Sequence, residues 1–187
     1  VWNNGNPLGT DLDLRFRPGT YFWPTHPNGG DVMLNIVYSR SSLNIDHYNF
    51  KLSGGWNSGC TVQSLPGGPA TILDGSNSRE PLSISISPPI GALTEIPTGT
   101  VTLDQIHFYR YAGAGATISW NGADVTVRYA RISYGTGTAI NAARDNTVFL
   151  HNSLFEQNLN TPGQSLVYVP SEQNVVVANN TFRGNTL

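Results

Sequence analysis

Three charged residues in the second half of the chain have the side chains needed for acid–base chemistry. Asp104, Arg128 and Arg131 occupy related positions in a repeating sequence pattern, so we expect the fold to bring them onto one surface. A general base must lie within hydrogen-bond reach of the proton that it removes, and a neighbouring group must orient it. The sequence therefore nominates Arg128 or Arg131 as a base that removes a proton beside a carboxylate, with Asp104 as the orienting residue.

The same residues also allow a structural interpretation. An aspartate beside an arginine on a neighbouring strand forms a cross-strand ion pair, which stabilises a sheet by roughly 0.2–1 kcal/mol. Structural ion pairs are more common in proteins than catalytic ones. Asp104 and Arg128 are therefore also consistent with a charge ladder that performs no chemistry.

Aromatic and histidine side chains form a second set of candidates, which could bind a ligand. Five aromatic residues cluster in two adjacent repeats, and rings that point outward could stack on sugars while their polar atoms stay hydrated. The alternative is that Trp120 and one or two of the tyrosines cover the core beneath a loop. The predicted ligand-binding residues are Tyr109, Tyr111, Trp120, Tyr129, Tyr134, His107 and His151.

A short apolar pattern that recurs four times must position these residues. Each unit begins with two apolar anchors separated by one position, and another apolar residue follows seven positions after the first anchor. The first anchors are separated by 24, 23 and 27 residues, so the loops vary while the core positions do not. The units are Val101, Leu103 and Phe108; Val125, Val127 and Ile132; Val148, Leu150 and Phe155; and Val175, Val177 and Phe182.

Each unit is typical of short strands joined by sharp bends. The alternation predicts a strand with one buried face, and Asn152 and Asn179 lie where a bend needs left-handed backbone. A third apolar point, at Ile118, Ile140 and Leu166, predicts a third strand in each unit. One unit cannot bury its inward residues alone, so units must stack. The sequence predicts an all-β, right-handed, single-stranded parallel β-helix of about six coils, where a coil is one turn of three strands.

Stacking places equivalent positions of neighbouring coils about 4.8 Å apart. Asp104, Arg128 and His151 lie three positions after their first anchors, and His107 and Arg131 lie six positions after theirs. We therefore expect these five residues to form one polar patch on the outside of the β-helix.

The first half of the chain shows the same spacing less regularly. Leu43 and Ile45 lead to Phe50, which again lies seven positions after the first anchor. Stretches rich in Gly, Pro and Ser predict long loops near 57–70 and 87–100. These loops interrupt the repeat without ending it.

The composition favours one turn-rich β domain over residues 1–187. The chain has 20 Gly and 12 Pro, and its 12% of charged residues is half of the roughly 25% found in ordinary domains. A net charge of −2 gives no electrostatic reason to expect nucleic acid binding. No apolar run is long enough to predict a membrane span. Without an initiator methionine or a signal peptide, we expect a mature or excised piece of a longer protein.

Neither a cofactor nor a metal site is predicted. A calcium site needs several converging carboxylates, whereas the twelve acidic residues are spread thinly and only Asp11 and Asp13 are close. The four histidines lack zinc-ligand spacing. No carboxylate pair suits glycoside hydrolysis, and no Ser–His–Asp arrangement is identifiable. Cys60 is the one cysteine, and we interpret it as an unpaired thiol.

Several short motifs resemble a known family. These are Pro18-Gly-Thr-Tyr21, Leu52-Ser-Gly-Gly-Trp56 with Cys60, Thr71-Ile-Leu-Asp-Gly75 and Asn179-Asn-Thr-Phe-Arg-Gly-Asn185. Together they are similar to bacterial secreted right-handed parallel β-helix proteins of the pectate-lyase-like class. The resemblance covers residues 12–187 and implies an extracellular or cell-surface location. That class contains polysaccharide lyases, glycoside hydrolases and adhesins, so the resemblance specifies a fold and leaves the activity open.

Three functions follow as hypotheses. The leading one is a secreted or surface-displayed module that binds a polysaccharide, a surface glycan or a protein partner without catalysis. The second is a structural subunit that associates end to end into a filament, because a stack of coils exposes strand edges at its ends. The third is a polysaccharide lyase or glycoside hydrolase that acts at Asp104, Arg128 and Arg131.

Overall fold

Every third strand along the chain belongs to the same sheet. The computed structural model describes residues 11–22, 32–39, 47–87, 98–120, 122–142, 147–160, 162, 164–170 and 174–186. Within this part of the chain seventeen strands form three sheets, and all of the strand pairs that build the sheets are parallel.

The first and second sheets contain six strands each, and the third contains five. The first sheet consists of β1 (Asp11–Arg15), β4 (His47–Ser53), β7 (Thr98–Asp104), β10 (Ala123–Arg128), β13 (Val148–His151) and β16 (Val175–Ala178). The second consists of β2 (Gly19–Tyr21), β5 (Thr71–Asp74), β8 (Ile106–Tyr109), β11 (Arg131–Ser133), β14 (Leu154–Glu156) and β17 (Thr181–Arg183). The third consists of β3 (Val32–Ser39), β6 (Glu80–Ser87), β9 (Ala112–Ser119), β12 (Thr136–Ala142) and β15 (Val167–Tyr168).

This strand order defines a parallel β-helix, which confirms the predicted fold class. The chain visits the three sheets in turn and starts the next coil beside the strand from which it began. The inward side chains of all three sheets form one core, as expected when a single coil cannot bury its apolar face alone. Within the described ranges there is no helix long and apolar enough to cross a membrane.

The predicted register of the regular repeats is confirmed. Val101, Val125, Val148 and Val175 are direct partners on successive strands of the first sheet. The last anchors form an equivalent column on the second sheet, and this column consists of Phe108, Ile132, Phe155 and Phe182. Equivalent positions therefore stack, and polar residues at one offset become neighbours.

The assignment of Phe50 as a last anchor is wrong. Phe50 pairs with Val101 and Leu52 pairs with Leu103, so Phe50 is the first anchor of its own coil. The second-sheet strand of this coil begins only at Thr71, because residues 54–70 are inserted between the two strands. The proposed partners of Phe50 at positions 43 and 45 lie outside the described residues.

The third sheet exists as predicted, but its apolar points do not form one column. Ile118 pairs with Ala142, whereas Ile140 pairs with Ala116 and with Val167. Both isoleucines are fully buried. Their different levels along the strands reflect the variable connections between the second and third sheets.

Two sharp corners in each regular coil are made by single residues with left-handed backbone. The residue four positions after the first anchor makes the first corner, and the residue nine positions after it makes the second. The residues are Gln105, Tyr129, Asn152 and Asn179 at the first corner, and Arg110, Tyr134, Gln157 and Gly184 at the second, with φ between 48° and 60°. At the first corner the amide of Gln105 donates to the Arg128 carbonyl over 3.1 Å, so each turn is tied to the next coil.

Asparagine side chains replace apolar ones inside these corners. Asn180 accepts a hydrogen bond from the Ser153 amide and donates one to the Leu150 carbonyl. Asn185 accepts from the Asn158 amide and donates to the carbonyl of Phe155 in the same manner. Backbone groups that face the core at a bend are thereby paired, as buried polar groups require.

Candidate functional site

The outer surface of the second sheet carries most of the predicted site residues. On β11 the buried side chain of Ile132 lies between Arg131 and Ser133, which belong to two outward columns. One column contains His107, Arg131, Leu154 and Thr181, and the other contains Tyr109, Ser133, Glu156 and Arg183. We call these two columns the second-sheet outer face.

Asp104 and Arg128 form the ion pair that the repeat predicts. They are direct partners on β7 and β10, and Arg128 pairs in turn with His151 on β13. Nη2 of Arg128 donates to Oδ2 of Asp104 over 2.9 Å. The aspartate is buried, whereas the arginine remains partly exposed. The Arg128 guanidinium therefore shields the Asp104 carboxylate from the solvent.

Arg131 is held by a carboxylate that the sequence analysis missed. Its Nε donates to Oε1 of Glu156 over 2.6 Å, and Nε of Arg183 donates to Oε2 over 2.7 Å. The Glu156 side chain is 3% exposed, whereas those of Arg131 and Arg183 are 47% and 64% exposed. Burial alone would raise the pKa of Glu156, but the hydrogen bonds from Arg183 and Arg131 outweigh it and lower that pKa.

The signal for Glu156 was present in the repeat. Glu156 lies eight positions after Val148, and Arg183 lies eight positions after Val175. The side chain eight positions after the first anchor points outward like the one six positions after it, because side chains alternate along a strand. The predicted polar patch included only the positions three and six residues after each first anchor. It therefore left out Glu156 and Arg183, which lie eight residues after theirs.

His107, which the sequence predicts as a ligand-binding residue, is buried. Its Nε2 lies 2.8 Å from Oγ of Ser133 on the neighbouring strand. Burial is the main cause that lowers the pKa of His107 to about 4, and the nearby charge of Arg131 adds to it. The imidazole is thus neutral near neutral pH. Ser133 is fully buried, so its hydroxyl group does not face the solvent as a nucleophile must.

A third buried carboxylate lies under an arginine at the second corner. Nε of Arg110 donates to Oδ1 of Asp74 over 3.0 Å, and its guanidinium lies 5.1 Å from the ring centroid of Tyr109. Asp74 also accepts a hydrogen bond from the Ser76 amide, so it stabilises the turn that follows β5.

Two predicted ligand-binding residues lie in the core. The rings of Trp120 and Tyr111 are fully buried, so they are not available to stack on a ligand, which corrects that prediction for these two positions. Trp120 follows β9 and packs in the main cluster. The Tyr111 ring enters the interior at the second corner, where its hydroxyl donates to Oδ1 of Asn158.

The other aromatic residues line the outer surface. Tyr129 and Tyr134 are 42% and 45% exposed, and they occupy the two corners on either side of β11. Tyr134 packs edge-on against Tyr109, with ring centroids 5.6 Å apart. Tyr129 lies edge-on to the ring of His151, at 6.4 Å between centroids. These rings flank the polar side chains of the second-sheet outer face.

The ion pairs divide the predicted polar patch into two groups. Asp104 and Arg128 pair on the first sheet, whereas His107 and Arg131 lie on the second sheet with Ser133 and Glu156 as partners. The corner column that contains Tyr129 lies between them. Within the described ranges there is no group of three or more His, Cys, Asp or Glu residues that could hold a metal ion.

The described fold places this chain among parallel β-helix solenoids. Comparison with protein-family models, curated proteins and solved structures finds no match to this chain.

Proposed function

We propose that this protein is a non-catalytic module, secreted or displayed at a cell surface, that binds a glycan on the second-sheet outer face. The observation that carries this proposal is the pair of exposed rings, Tyr129 and Tyr134, on either side of Arg131. An exposed tyrosine offers an apolar face to a sugar ring while its hydroxyl stays hydrated. Two rings on one coil can hold successive parts of a single chain.

The charge arrangement supports a glycan that carries acidic groups. Arg110, Arg128, Arg131 and Arg183 are all partly exposed, and each lies over a carboxylate that is nearly inaccessible to solvent. A ligand would therefore meet guanidinium groups first, although the chain has a net charge of −2. Guanidinium binds planar anionic groups through paired hydrogen bonds.

The same contacts argue against the lyase alternative. A base must be free to take a proton, but Arg128 is bound to Asp104 and Arg131 is bound to Glu156. We expect no release of unsaturated, ultraviolet-absorbing products from acidic polysaccharides, and product release that is lost in Arg128→Ala would replace the binding proposal with catalysis.

Binding to an array of uncharged, carboxylated and sulfated glycans tests the proposal. Tyr129→Ala and Tyr134→Ala should each weaken binding by about fivefold, because one stacked ring contributes roughly 1 kcal/mol. Tyr168→Ala is the matched control, since this tyrosine is 50% exposed but lies on the third sheet. If no glycan binds, or if all three variants bind as the wild type does, the proposed site is wrong.

A further inference from the structure

The two exposed tyrosines that flank the second-sheet outer face lie at opposite corners of a single coil. Tyr129 makes the first corner, Tyr134 makes the second, and β11 is the strand between them. They are 42% and 45% exposed. A single ligand that contacts both rings must therefore follow β11, which runs across the axis of the β-helix.

Neither corner offers a second ring along the axis. Each corner tyrosine is flanked in the neighbouring coils by residues without an aromatic ring, and these are Gln105 and Asn152 at the first corner and Arg110 and Gln157 at the second. A glycan that ran along the axis would therefore contact only one of the two corner tyrosines. Burial of apolar ring surface favours the path along β11, because that path reaches both rings.

Three partly exposed guanidinium groups lie beside this path. Arg128 precedes the Tyr129 corner, and Arg131 is the first residue of β11. Arg110 makes the second corner one coil before Tyr134. The side chains of Arg110, Arg128 and Arg131 are 41%, 39% and 47% exposed. A glycan lying across the axis would thus meet positive charge near each end and near its middle.

The buried carboxylates leave one side of these guanidinium groups free. Arg131 contacts Glu156 through Nε and Nη2, and Arg110 contacts Asp74 through the same two atoms. Within the described residues neither Nη1 atom makes a hydrogen bond, and neither is among the atoms that are buried without a partner. Both Nη1 atoms therefore reach the solvent. An acidic group can approach that side with two oxygens, which is the arrangement that guanidinium favours.

The distance between the two corners sets the length of the ligand. Tyr134 lies five positions after Tyr129, and an extended chain advances about 3.3 Å per residue, so their Cα atoms are at most about 17 Å apart. A pyranose unit in an extended glycan is about as long as one and a half residues of a strand, so roughly three sugar steps cover this distance. Rings at the two corners therefore suit the first and fourth sugars of one chain.

We propose that the site binds a linear acidic glycan of at least four sugars that lies across the axis of the β-helix. The first and fourth sugars stack on Tyr129 and Tyr134, and an inner sugar places its acidic group against Nη1 of Arg131. This geometry rests on the proposed glycan-binding function, and it adds the direction of the chain, its minimum length and the position of its charge.

Size-defined chains test the minimum length. Calorimetry would measure the affinity for chains of two, four and six sugars prepared from alginate, polygalacturonate, chondroitin sulfate and heparin. Four sugars should bind at least about fivefold more tightly than two, because only the longer chain reaches the second ring. Six sugars should bring no comparable further gain.

Ring and corner variants test the direction of the chain. Tyr129→Ala and Tyr134→Ala should each remove the gain from two to four sugars, while two sugars still bind at the ring that remains and so show that the variant folds. Tyr168→Ala should keep the gain, because Tyr168 lies on the third sheet. Asn152→Gly and Gln157→Gly should also keep it, since glycine adopts their left-handed backbone and a chain across the axis does not depend on these side chains.

Removal of the acidic groups tests the contact with Arg131. Carboxyl reduction or desulfation of the chain of four sugars should weaken its binding by about tenfold, because the charge-assisted hydrogen bonds are lost. Equal binding of the acidic and uncharged chains would overturn that contact.

The outcomes separate the geometry from the function itself. Binding of the acidic polymers with equal affinity for two and four sugars would overturn the proposed geometry and leave glycan binding intact. A gain that survives both tyrosine variants but is lost in Asn152→Gly or Gln157→Gly would show a chain that runs along the axis. If none of the four polymers binds, both the geometry and the glycan-binding function are wrong.

Discussion

The hydroxyl of Tyr111 donates a hydrogen bond to Oδ1 of Asn158 over 3.1 Å, although the two residues lie in coils that are not neighbours. The position between them in the stack belongs to Gly135. A Cβ atom at Gly135 would lie 2.0 Å from Cζ of Tyr111, so the tyrosine ring occupies the space that a side chain would need. The amide of Gly135 also donates to Oδ1 of Asn158, at 3.1 Å.

Gly135→Ala should therefore destabilise the protein. Overpacking of a filled core typically costs about 1–3 kcal/mol, and urea unfolding measures the loss. Tyr111→Ala combined with Gly135→Ala should cost less than the sum of the two single changes, because the smaller side chain removes the clash. Unchanged stability of Gly135→Ala would show that the ring does not lie against this glycine.

Asn180→Ala should also lower the free energy of unfolding. The change leaves the Leu150 carbonyl and the Ser153 amide without the partners that Asn180 provides, and an unpaired buried group costs about 1–3 kcal/mol. Asn179→Gly is the control, because Asn179 is exposed with φ of 55°, which glycine adopts freely. Equal stabilities of the two variants in chemical denaturation would contradict the role of Asn180.

Glu156→Gln should remove a pH-dependent part of the stability. The pKa of Glu156 is lower in the folded protein than its ordinary value of 4.5, so the unfolded chain takes up a proton first as the pH falls. Its contribution is complete above that value and is lost as the pH falls through the lower folded pKa. Urea unfolding at neutral pH should show the variant roughly 2 kcal/mol less stable, with a smaller difference in acid. A difference that is constant with pH would count against the ion pairs.

His107 should remain neutral at pH values where an ordinary histidine is protonated. Its pKa of about 4 lies below the ordinary histidine value of 6.5, so protonation favours the unfolded chain as the pH falls below 6.5. Stability should decline from there towards the folded pKa, and His107→Gln should reduce that decline. NMR titration of the ring protons measures the pKa itself. A midpoint near 6.5 would show that the ring is not buried against Ser133.

The fold was predictable because the spacing of the regular repeats determines which residues are partners on neighbouring strands. Val101, Val125, Val148 and Val175 stand in one phase, and parallel strands need no other information to align. Phe50 was misassigned because a seven-residue spacing also arises by chance, and the insertion of residues 54–70 hides the true spacing in its coil.

The candidate site was less predictable, for two physical reasons. Tyr111 lies at a corner position that holds asparagine in later coils, and whether a ring turns inward there depends on space left by Gly135, more than twenty residues away. Glu156 was missed because its partners stand at two different positions of the repeat: Arg131 lies six residues after its first anchor, and Arg183 lies eight residues after its own. The burial of its carboxylate is a property of the stack and cannot be read from any one repeat.

The direction of the asparagine contacts makes the stability of one coil depend on the coil that follows it. Asn180 and Asn185 come from the last described coil, yet the groups that they complete belong to the coil before it. Each turn of the chain is thus finished by the one that follows. Removing residues 175–187 would leave backbone amides and carbonyls of the preceding coil without hydrogen-bond partners. Such a truncation should therefore lower the stability of the preceding coil as well as remove the coil that covers it.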